Sequence, residues 1–450
     1  MRYRYRSKKD LQKLQWGSIP KTWKQSKAQY YFDVFAGGTP STNEPTYWDG
    51  NIPWINSGEV QNCLVKNISR YITEKGLKES STKLIPKNTV LLAMTGATCG
   101  NVGYLTFEST ANQSVMAFVP RKNFISKFLY YYLMCQEDQI EHYKTGGAQG
   151  GINVDNGKKI YINIPSIIEQ EKIANFLDEK TSQFDLIISK KEKLIERLEE
   201  AKKSLISEVV TGKVKVVKTD DGYELINRSS EDMKDSGVEW LGEVPKNWEV
   251  SKIKYECSIN ARIGWKALKA DEYVEEGYIF LATPNIKGKY IDFENVNYIT
   301  QERYDESPEI KLKINDVLLT KDGSTLGTVN VVRNLDKEAT VNSSLAVIRP
   351  NKNLNGVFLN YFIKSSYMQS IIGMFKDGMG VPHLFQSDIK LFNILLPKYE
   401  EQLRIYKYLD REVDLIDSLI NKTTIQIEKL KEAKQSLIGE AVTGKIEILD

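Results

Sequence analysis

The chain has 450 residues, of which 41% are hydrophobic and 27% charged, a composition typical of a soluble globular protein with room for two or three domains. No apolar run is long enough to cross a bilayer, and the basic start MRYRYRSKKD lacks the apolar stretch of a secretory signal. The four cysteines show no CxxC spacing, which argues against a zinc site or a disulfide framework and favours a reducing, cytoplasmic location. The net charge of +3 neither requires nor excludes nucleic acid as a partner.

The first part of the chain, residues 1–165, predicts a β-rich domain. It is rich in Trp, Tyr, Gly and Asn and in short β-branched runs. NTVLLAMTG (Asn88–Gly96) and QSVMAFVP (Gln113–Pro120) predict strands, since each is an apolar run bounded by turn residues.

Residues 166–212 predict one long helix, because no Gly or Pro interrupts them before Gly212 and apolar residues recur at spacings of three and four. At about 1.5 Å per residue this helix would be about 65 Å long, too long for one small core, which indicates a coiled-coil partner. The predicted apolar seam consists of Ile173, Leu177, Phe184, Ile187, Leu194, Leu198, Ala201 and Leu205.

The same order of segments then repeats. Residues 213–238 predict a polar linker, residues 239–397 a second β-rich domain, residues 398–444 a second long helix and residues 445–450 a short C-terminal tail. The second helix keeps the seam at Ile405, Leu409, Ile416, Leu419, Leu430, Ala433 and Leu437.

The two halves are an internal duplication. SLISEVVTGK (Ser204–Lys213) matches SLIGEAVTGK (Ser436–Lys445), while the loop AGGTPSTNEP (Ala36–Pro45) has no counterpart in NARIGWKALKAD (Asn260–Asp271). Like scaffolds with unlike loops indicate two recognition surfaces with different targets. The predicted fold class is α+β, with two β-rich domains joined by two long antiparallel helices about a pseudo-twofold axis.

Three further motifs carry a family resemblance. They are KDSGVEWLGEVPKNW (Lys234–Trp248) and the Pro-x-x-x-x-Gln starts of the two helices (Pro165–Gln170 and Pro397–Gln402). Together with the duplicated helix ends, they make the chain resemble the specificity (S) subunit of a type I restriction–modification system over nearly its full length. The first copy has KKDLQKLQWGSIP (Lys8–Pro20) in place of the Lys-Asp-Ser-Gly lead-in, which leaves its N-terminal boundary open.

The resemblance implies a subunit without a catalytic site or cofactor of its own. Each target recognition domain would read one half of a bipartite site on double-stranded DNA. The helices would set the gap between the halves and dock two modification (methyltransferase) subunits, through which motor-nuclease restriction subunits join the complex.

Loops of the two domains supply the candidate DNA contacts. The Gly-rich GAQGGIN (Gly147–Asn153) and DGMGVPHLFQ (Asp377–Gln386) lie at the same place in each copy, and Gly lets backbone approach a phosphate while Gln and Asn can pair with adenine. Flexible connectors or hairpin turns are the simpler interpretation of such loops. The residues that we predict to contact DNA are Gly38, Thr39, Ser57, Thr95, Thr98, Gln113, Gln149, Asn153, Arg262, Lys266, Asn285, Lys321, Ser324, Asn342, His383 and Gln386.

The duplicated Val-Thr-Gly ends of the helices indicate close packing, either on a partner subunit or on the opposite recognition domain. The residues predicted to bind partners are Leu198, Leu205, Val210, Gly212, Leu430, Leu437, Val442 and Gly444.

Two other classes of function are weaker alternatives. A methyltransferase would need a catalytic tetrapeptide, but in Asn51-Ile-Pro-Trp54 an Ile replaces the first Pro, and Phe35–Gly38 is a poor cofactor loop. His142 and His383, the only histidines, have no neighbouring triad or metal pattern. A coiled-coil adaptor without a DNA role would not explain unlike loops on like scaffolds.

Overall fold

The computed structural model describes residues 2–66, 68–121, 124–146, 150–220, 222–262, 268–375 and 382–449. The chain divides into a first unit, Met1–Glu192 with Ile425–Asp450, and a second unit, Lys193–Thr424. Each unit therefore contains one β-rich domain and a part of both long helices. None of the helices in the described ranges is long and apolar enough to span a membrane.

The domain of the first unit is built on a five-stranded sheet of order β5-β12-β9-β10-β7, beside a three-stranded sheet of order β11-β6-β8. Its strands are β1 Arg2–Tyr5, β2 Leu11–Leu14, β3 Gly17–Pro20, β4 Lys24–Lys27, β5 Phe32–Ala36, β6 Trp48–Ile55, β7 Cys63–Val65, β8 Arg70–Ile72, β9 Val90–Ala93, β10 Val102–Leu105, β11 Thr110–Ala111, β12 Val115–Pro120 and β13 Tyr161–Ile164. Its helices are α1 Glu74–Lys78, α2 Ser126–Leu133, α3 Glu137–Tyr143 and α4 Val154–Lys159, and α5 Ile167–Val210 follows them. Strands β9 and β12 confirm the two predicted from sequence.

The second unit repeats this plan, with a sheet of order β19-β25-β22-β23 and a three-stranded sheet of order β21-β20-β24. Its strands are β14 Val214–Thr219, β15 Gly222–Asn227, β16 Met233–Asp235, β17 Glu243–Pro245, β18 Glu249–Lys252, β19 Cys257–Ala261, β20 Tyr278–Leu281, β21 Asn297–Ile299, β22 Val317–Thr320, β23 Val329–Val331, β24 Ala339–Val341, β25 Leu345–Pro350 and β26 Asn393–Leu396. Its helices are α6 Ile253–Glu256, α7 Thr283–Ile286, α8 Gln301–Asp305, α9 Gly356–Lys364, α10 Ser366–Met374 and α11 Gln386–Leu391, followed by α12 Tyr399–Val442, after which β27 Ile446–Leu449 returns to the first unit.

One inner strand of the larger sheet in each unit, β9 or β22, is buried on both faces. In β9, Val90 and Leu92 join one apolar cluster while Leu91 and Ala93 join another. In β22, alternate residues likewise face two clusters. Successive side chains of a strand point to opposite faces, so a strand covered on both sides reads as a continuous apolar run, as VLLA and VLLT do.

The segment predicted as a polar linker, residues 213–238, is folded. It contains the hairpin β14–β15 and strand β16, which pairs with β17. The first unit builds the same feature from its chain ends, because β1 pairs antiparallel with β27. In each unit an arginine that follows one of these paired strands forms an ion pair with a glutamate in the first turn of a long helix. Arg6 pairs with Glu169 at 2.7 Å, and Arg228 pairs with Glu401 at 2.9 Å. The hairpin β2–β3 of the first unit takes the place of β16–β17 of the second.

A glutamine fixes the start of each long helix. The amide of Gln170 donates to the carbonyl of Pro165 at 3.0 Å and accepts from the backbone N–H of Ile125 at 2.9 Å. The amide of Gln402 donates to the carbonyl of Pro397 and accepts from the N–H of Asn355 at 2.8 Å. Both glutamines are buried. The repeated Pro-x-x-x-x-Gln pattern is therefore a hydrogen-bonded joint between helix and domain.

The two long helices run antiparallel, as predicted. In the first unit Lys434 pairs with Asp185 and Lys191 donates to Gln426, so the contacts advance in opposite directions along the two helices. In the second unit Lys202 pairs with Asp417 at 2.8 Å.

The predicted seam is wrong at five positions, because Ile187 (44% exposed), Leu194 (45%) and Leu419 (51%) face outward, as do the smaller Ala201 and Ala433. Ile188 and Ile427 are buried instead. Adjacent isoleucines at 187 and 188 fit the apolar periodicity almost equally well, and only the packing of the second helix selects between them.

Each long helix ends on a glycine that packs against a β-rich domain. Gly212 has φ +75°, and an added Cβ would lie 2.5 Å from Cγ of Pro245 and 3.0 Å from the ring of Trp248. Gly444 has φ +71° and faces Pro20 and Trp23 in the same way. Glycine therefore ends each long helix, as predicted. Two contacts were considered for the Val-Thr-Gly ends, a partner subunit or the opposite domain of the same chain, and the structure shows the second. The end of α5 lies on the β-rich domain that follows it in the sequence, and the end of α12 lies on the first β-rich domain rather than on the one directly before it.

We predict that Gly212→Ala destabilises the second unit more than Gly237→Ala. Both glycines have positive φ, +75° and +68°, but nothing lies within 4 Å of a Cβ added at Gly237. The difference in stability between the two variants therefore reports the contact with Pro245 and Trp248. Forcing extra atoms into a packed core costs about 1–3 kcal/mol. Thermal unfolding of the two variants measures it, and equal melting temperatures would contradict the packing described.

Candidate nucleic-acid interface

Loops at one edge of the first unit's central sheet bring several of the predicted residues together. The N–H of Gly38 donates to Ala111 at 2.8 Å, and the N–H of Met94 donates to Ser114 at 2.8 Å. The N–H of Ile152 in turn donates to Met94 at 2.9 Å. We call the predicted residues on these loops the first rim: Gly38, Thr39, Thr95, Thr98, Gln113 and Asn153. Of these, Thr95, Gln113 and Asn153 are exposed, and the hydroxyl of Thr39 contacts the amide oxygen of Gln113.

The second unit has a corresponding edge. The N–H of Lys321 donates to Ser344 at 2.9 Å, and the N–H of Leu384 donates to Lys321 at 2.8 Å. We call the predicted residues here the second rim: Lys321, Ser324, Asn342, His383 and Gln386. Asp322 lies among them, where its carboxylate contacts the imidazole of His383 and accepts from the ammonium of Lys321 at 3.0 Å.

The two rims share one backbone frame. The N–H groups of Met94 and Lys321 each donate to a serine just before the neighbouring strand of the sheet, β12 or β25. Their carbonyl groups each accept from the N–H of an apolar residue, Ile152 or Leu384. The supporting asparagines also correspond: Asn112 accepts from the N–H of Ser114 at 3.1 Å, and Asn342 accepts from the N–H of Ser344 at 3.2 Å. The frame is duplicated while the displayed side chains differ, so the edges present different chemistry on the same support.

Two indoles support the first rim, and sequence reasoning did not identify their role. Trp54 donates through Nε1 to the carbonyl of Gly38 at 3.0 Å, and Trp48 donates to the carbonyl of Ser41 at 3.0 Å. The rings meet edge to face at 5.1 Å, and the guanidinium of Arg70 lies 3.8 Å over Trp48. Asn51-Ile-Pro-Trp54 is thus part of strand β6, and its tryptophan fixes a loop.

The remaining predicted residues of the first domain lie beside the first rim or outside the described ranges. Ser57 starts a short 3-10 turn two residues after Ile55, whose carbonyl accepts from the N–H of Asn112 at 2.9 Å. Gln149, and in the second domain Lys266, lie outside the described residues.

Arg262 and Asn285 lie inside the second unit and do not form part of its rim. Arg262 is 3% exposed, pairs with Glu306 and donates to the carbonyl of Arg303 at 3.2 Å. Burial lowers the pKa of Arg262, and the nearby charge of Arg303 lowers it further. Asn285 is 8% exposed, accepts from the N–H of Ala282 and donates to the carbonyl of Asn295, both at 2.8 Å. A polar residue in a variable loop can face either way, and sequence alone does not show that these two are part of the loop's internal support.

The residues predicted to bind partners differ in exposure. Val210 and Val442 are fully buried within the chain. Leu198, Leu205, Leu430 and Leu437 are half-buried. The long helices expose other apolar side chains that sequence reasoning assigned to the seam or left out: Leu186, Ile187, Leu194, Leu415, Leu419 and Ile425.

No metal-binding group of His, Cys, Asp or Glu occurs within the described part of the chain. His142 packs its ring against Trp16, with centroids 5.2 Å apart.

Comparison with known proteins gives consistent matches. Residues 20–199 and 245–429 each match the family model described as "Type I restriction modification DNA specificity domain". The specificity subunit of the type I restriction enzyme MjaIX from Methanocaldococcus jannaschii is 27% identical over 442 residues, which cover 96% of this chain and 95% of the relative. The MjaVIII specificity subunit of the same organism is 23% identical over 436 residues, covering 96% of this chain and 94% of the relative.

A solved chain from work on complex assembly and conformational transition of the type I R-M system is similar in fold. It superposes with a TM-score of 0.70 at 15% identity, covering 95% of this chain and 99% of the solved chain.

We predict that Trp54→Phe loosens the loop that contains Gly38. The phenyl ring keeps most of the packing but cannot donate to the carbonyl of Gly38, and a lost hydrogen bond of about 1 kcal/mol corresponds to roughly fivefold faster local opening. Hydrogen exchange of the peptide spanning residues 36–47 measures this. Trp240→Phe, the same change at an exposed indole of the second unit, is the control, and no acceleration specific to Trp54→Phe would refute the support role.

Proposed function

Because this chain belongs to the family of type I restriction–modification DNA specificity subunits, we propose that each of its two β-rich domains reads one half of a bipartite DNA site. As a member of that family the chain is a DNA-recognition subunit and not a catalytic one. The observation that carries the bipartite proposal is the duplicated backbone frame of the two rims with unlike side chains upon it.

The rims offer the groups that direct readout of double-stranded DNA needs. The first rim displays the side chains of Thr95, Gln113 and Asn153, whose hydroxyl and amide groups both donate and accept hydrogen bonds. In the second rim Ser324 is exposed, and Lys321, Asn342 and His383 are partly exposed around it. Backbone N–H groups and hydroxyls of such loops hold phosphates, while the longer side chains reach base edges.

We further propose that the long helices dock two modification subunits, one on each copy of the repeat. The support is a pair of equivalent exposed apolar residues: Ile187 on α5 and Leu419 on α12 occupy matching positions of the duplicated helix. Exposed apolar side chains at corresponding places in a duplication fit two copies of one partner. Motor-nuclease restriction subunits would join through that complex.

We also propose that the helices determine the gap between the half-sites. Each of them is continuous from its glutamine joint on one domain to its glycine end on the other. A change of helix length therefore has no loop in which to be absorbed.

We predict that exchanging Trp240–Pro397 for the matching segment of a relative changes only one half of the methylated motif. The two rims are built entirely within their own units, so their specificities should separate. Methylome sequencing of a host strain carrying the exchanged gene gives the motif, and exchanging the first domain should alter the other half. A change in both halves, or in neither, would contradict independent reading.

We predict that inserting about two helical turns after Thr423 lengthens the gap and leaves both half-sites unchanged. The equivalent insertion after Lys191, the matching position of α5, provides the comparison. Sequencing of methylated sites reports gap and half-sites together. An altered half-site with an unaltered gap would refute the role of the helices in spacing.

A further inference from the structure

Phe385 is a large apolar side chain displayed at the second rim. It is 61% exposed, although burying such a ring in the protein would be favourable. Its backbone N–H donates to the carboxylate of Asp388 at 2.9 Å, and the neighbouring N–H of Leu384 is bonded to Lys321. The ring of His383 lies 4.3 Å away. Phe385 is therefore held in place beside Lys321 on a fixed backbone.

Asn153 occupies the same place in the first rim. Each of the two residues follows the apolar residue that bonds the shared frame, Ile152 or Leu384, and each precedes a short helix, α4 or α11. Asn153 uses its side-chain oxygen to accept from the N–H of Asn156 at 2.8 Å, which leaves its amide NH₂ as a donor. One backbone position thus displays a hydrogen-bond donor in one domain and an apolar ring in the other.

We propose that Phe385 contacts the C5-methyl group of a thymine in the second half-site. This inference rests on the proposed function, in which the second rim faces DNA. In the major groove the thymine methyl is the one apolar group that base pairs display, and a phenyl ring is among the side chains that read it. The polar neighbours Lys321 and Ser324 hold the rim on the duplex, and Phe385 discriminates by excluding water from the methyl.

The test uses the full chain assembled with its modification subunits. After the motif is determined, each thymine of both half-sites is replaced in turn by deoxyuridine, which lacks only the methyl group. We expect one replacement in the second half-site to weaken binding by the wild-type complex about fourfold, the effect of one buried methyl-sized group. The Phe385→Ala complex should bind more weakly than wild type and should not respond to that replacement.

Phe385→Leu and Asn153→Ala are the matched variants. Leucine keeps an apolar contact, so Phe385→Leu should retain part of the methyl effect and show that the alanine variant is not simply misfolded. Asn153→Ala should leave the methyl effect in the second half-site unchanged and weaken recognition of the first.

Several outcomes overturn the inference while the proposed function stands. They are a second half-site without an A·T pair, a wild-type complex that binds deoxyuridine and thymine equally, and a methyl effect that persists in Phe385→Ala. A loss of affinity in Phe385→Ala without any methyl effect would indicate a ring wedged between bases, or a contact with a partner subunit, and also overturns it. A wild-type complex that recognises no split motif at all would instead contradict the proposed function.

Discussion

The packing of each helix end on a tryptophan of the opposite domain is the contact on which the architecture depends. Gly212 and Gly444 adopt a left-handed conformation and bring the backbone against Pro245 with Trp248 and Pro20 with Trp23. A side chain at either glycine would occupy the space that the proline and indole fill. Each helix therefore begins bonded to one domain through a buried glutamine and ends against the other.

The packing of the helix ends on these tryptophans also explains why the N- and C-terminal strands of the chain pair with each other. In the second unit the segment after Gly212 turns into a hairpin, whose following arginine pairs with Glu401. In the first unit the segment after Gly444 forms β27, which pairs with β1 and leads to the equivalent pair of Arg6 with Glu169. The strand pair beside the helix end is thus a hairpin of consecutive strands in the second unit, whereas in the first unit it is formed by the first and last strands of the chain.

In the proposed function, the rim frame separates DNA recognition from this scaffold. Backbone hydrogen bonds at Met94 and Lys321 fix the loops regardless of which side chains they carry, since they involve only N–H and carbonyl groups. Specificity can then differ between domains without a change in the sheet beneath. The indoles of Trp48 and Trp54 add a support that belongs to the first domain, because the loop from Ala36 to Pro45 has no counterpart in the second.

The sequence by itself determined the repeat, the bounds of both helices to within two residues, the strands β9 and β12 and the loops that form the rims. These features are local, since a helix needs only its apolar period and its glycine stop, and a buried strand needs only its apolar run. Tertiary structure decided which face of each helix is buried, because Ile187 and Ile188 fit the period almost equally well. It also decided that residues 213–238 fold, that Arg262 and Asn285 point inward, and that Trp54 fixes Gly38. Each of these depends on the packing and hydrogen bonds of the folded chain, which neither composition nor spacing specifies.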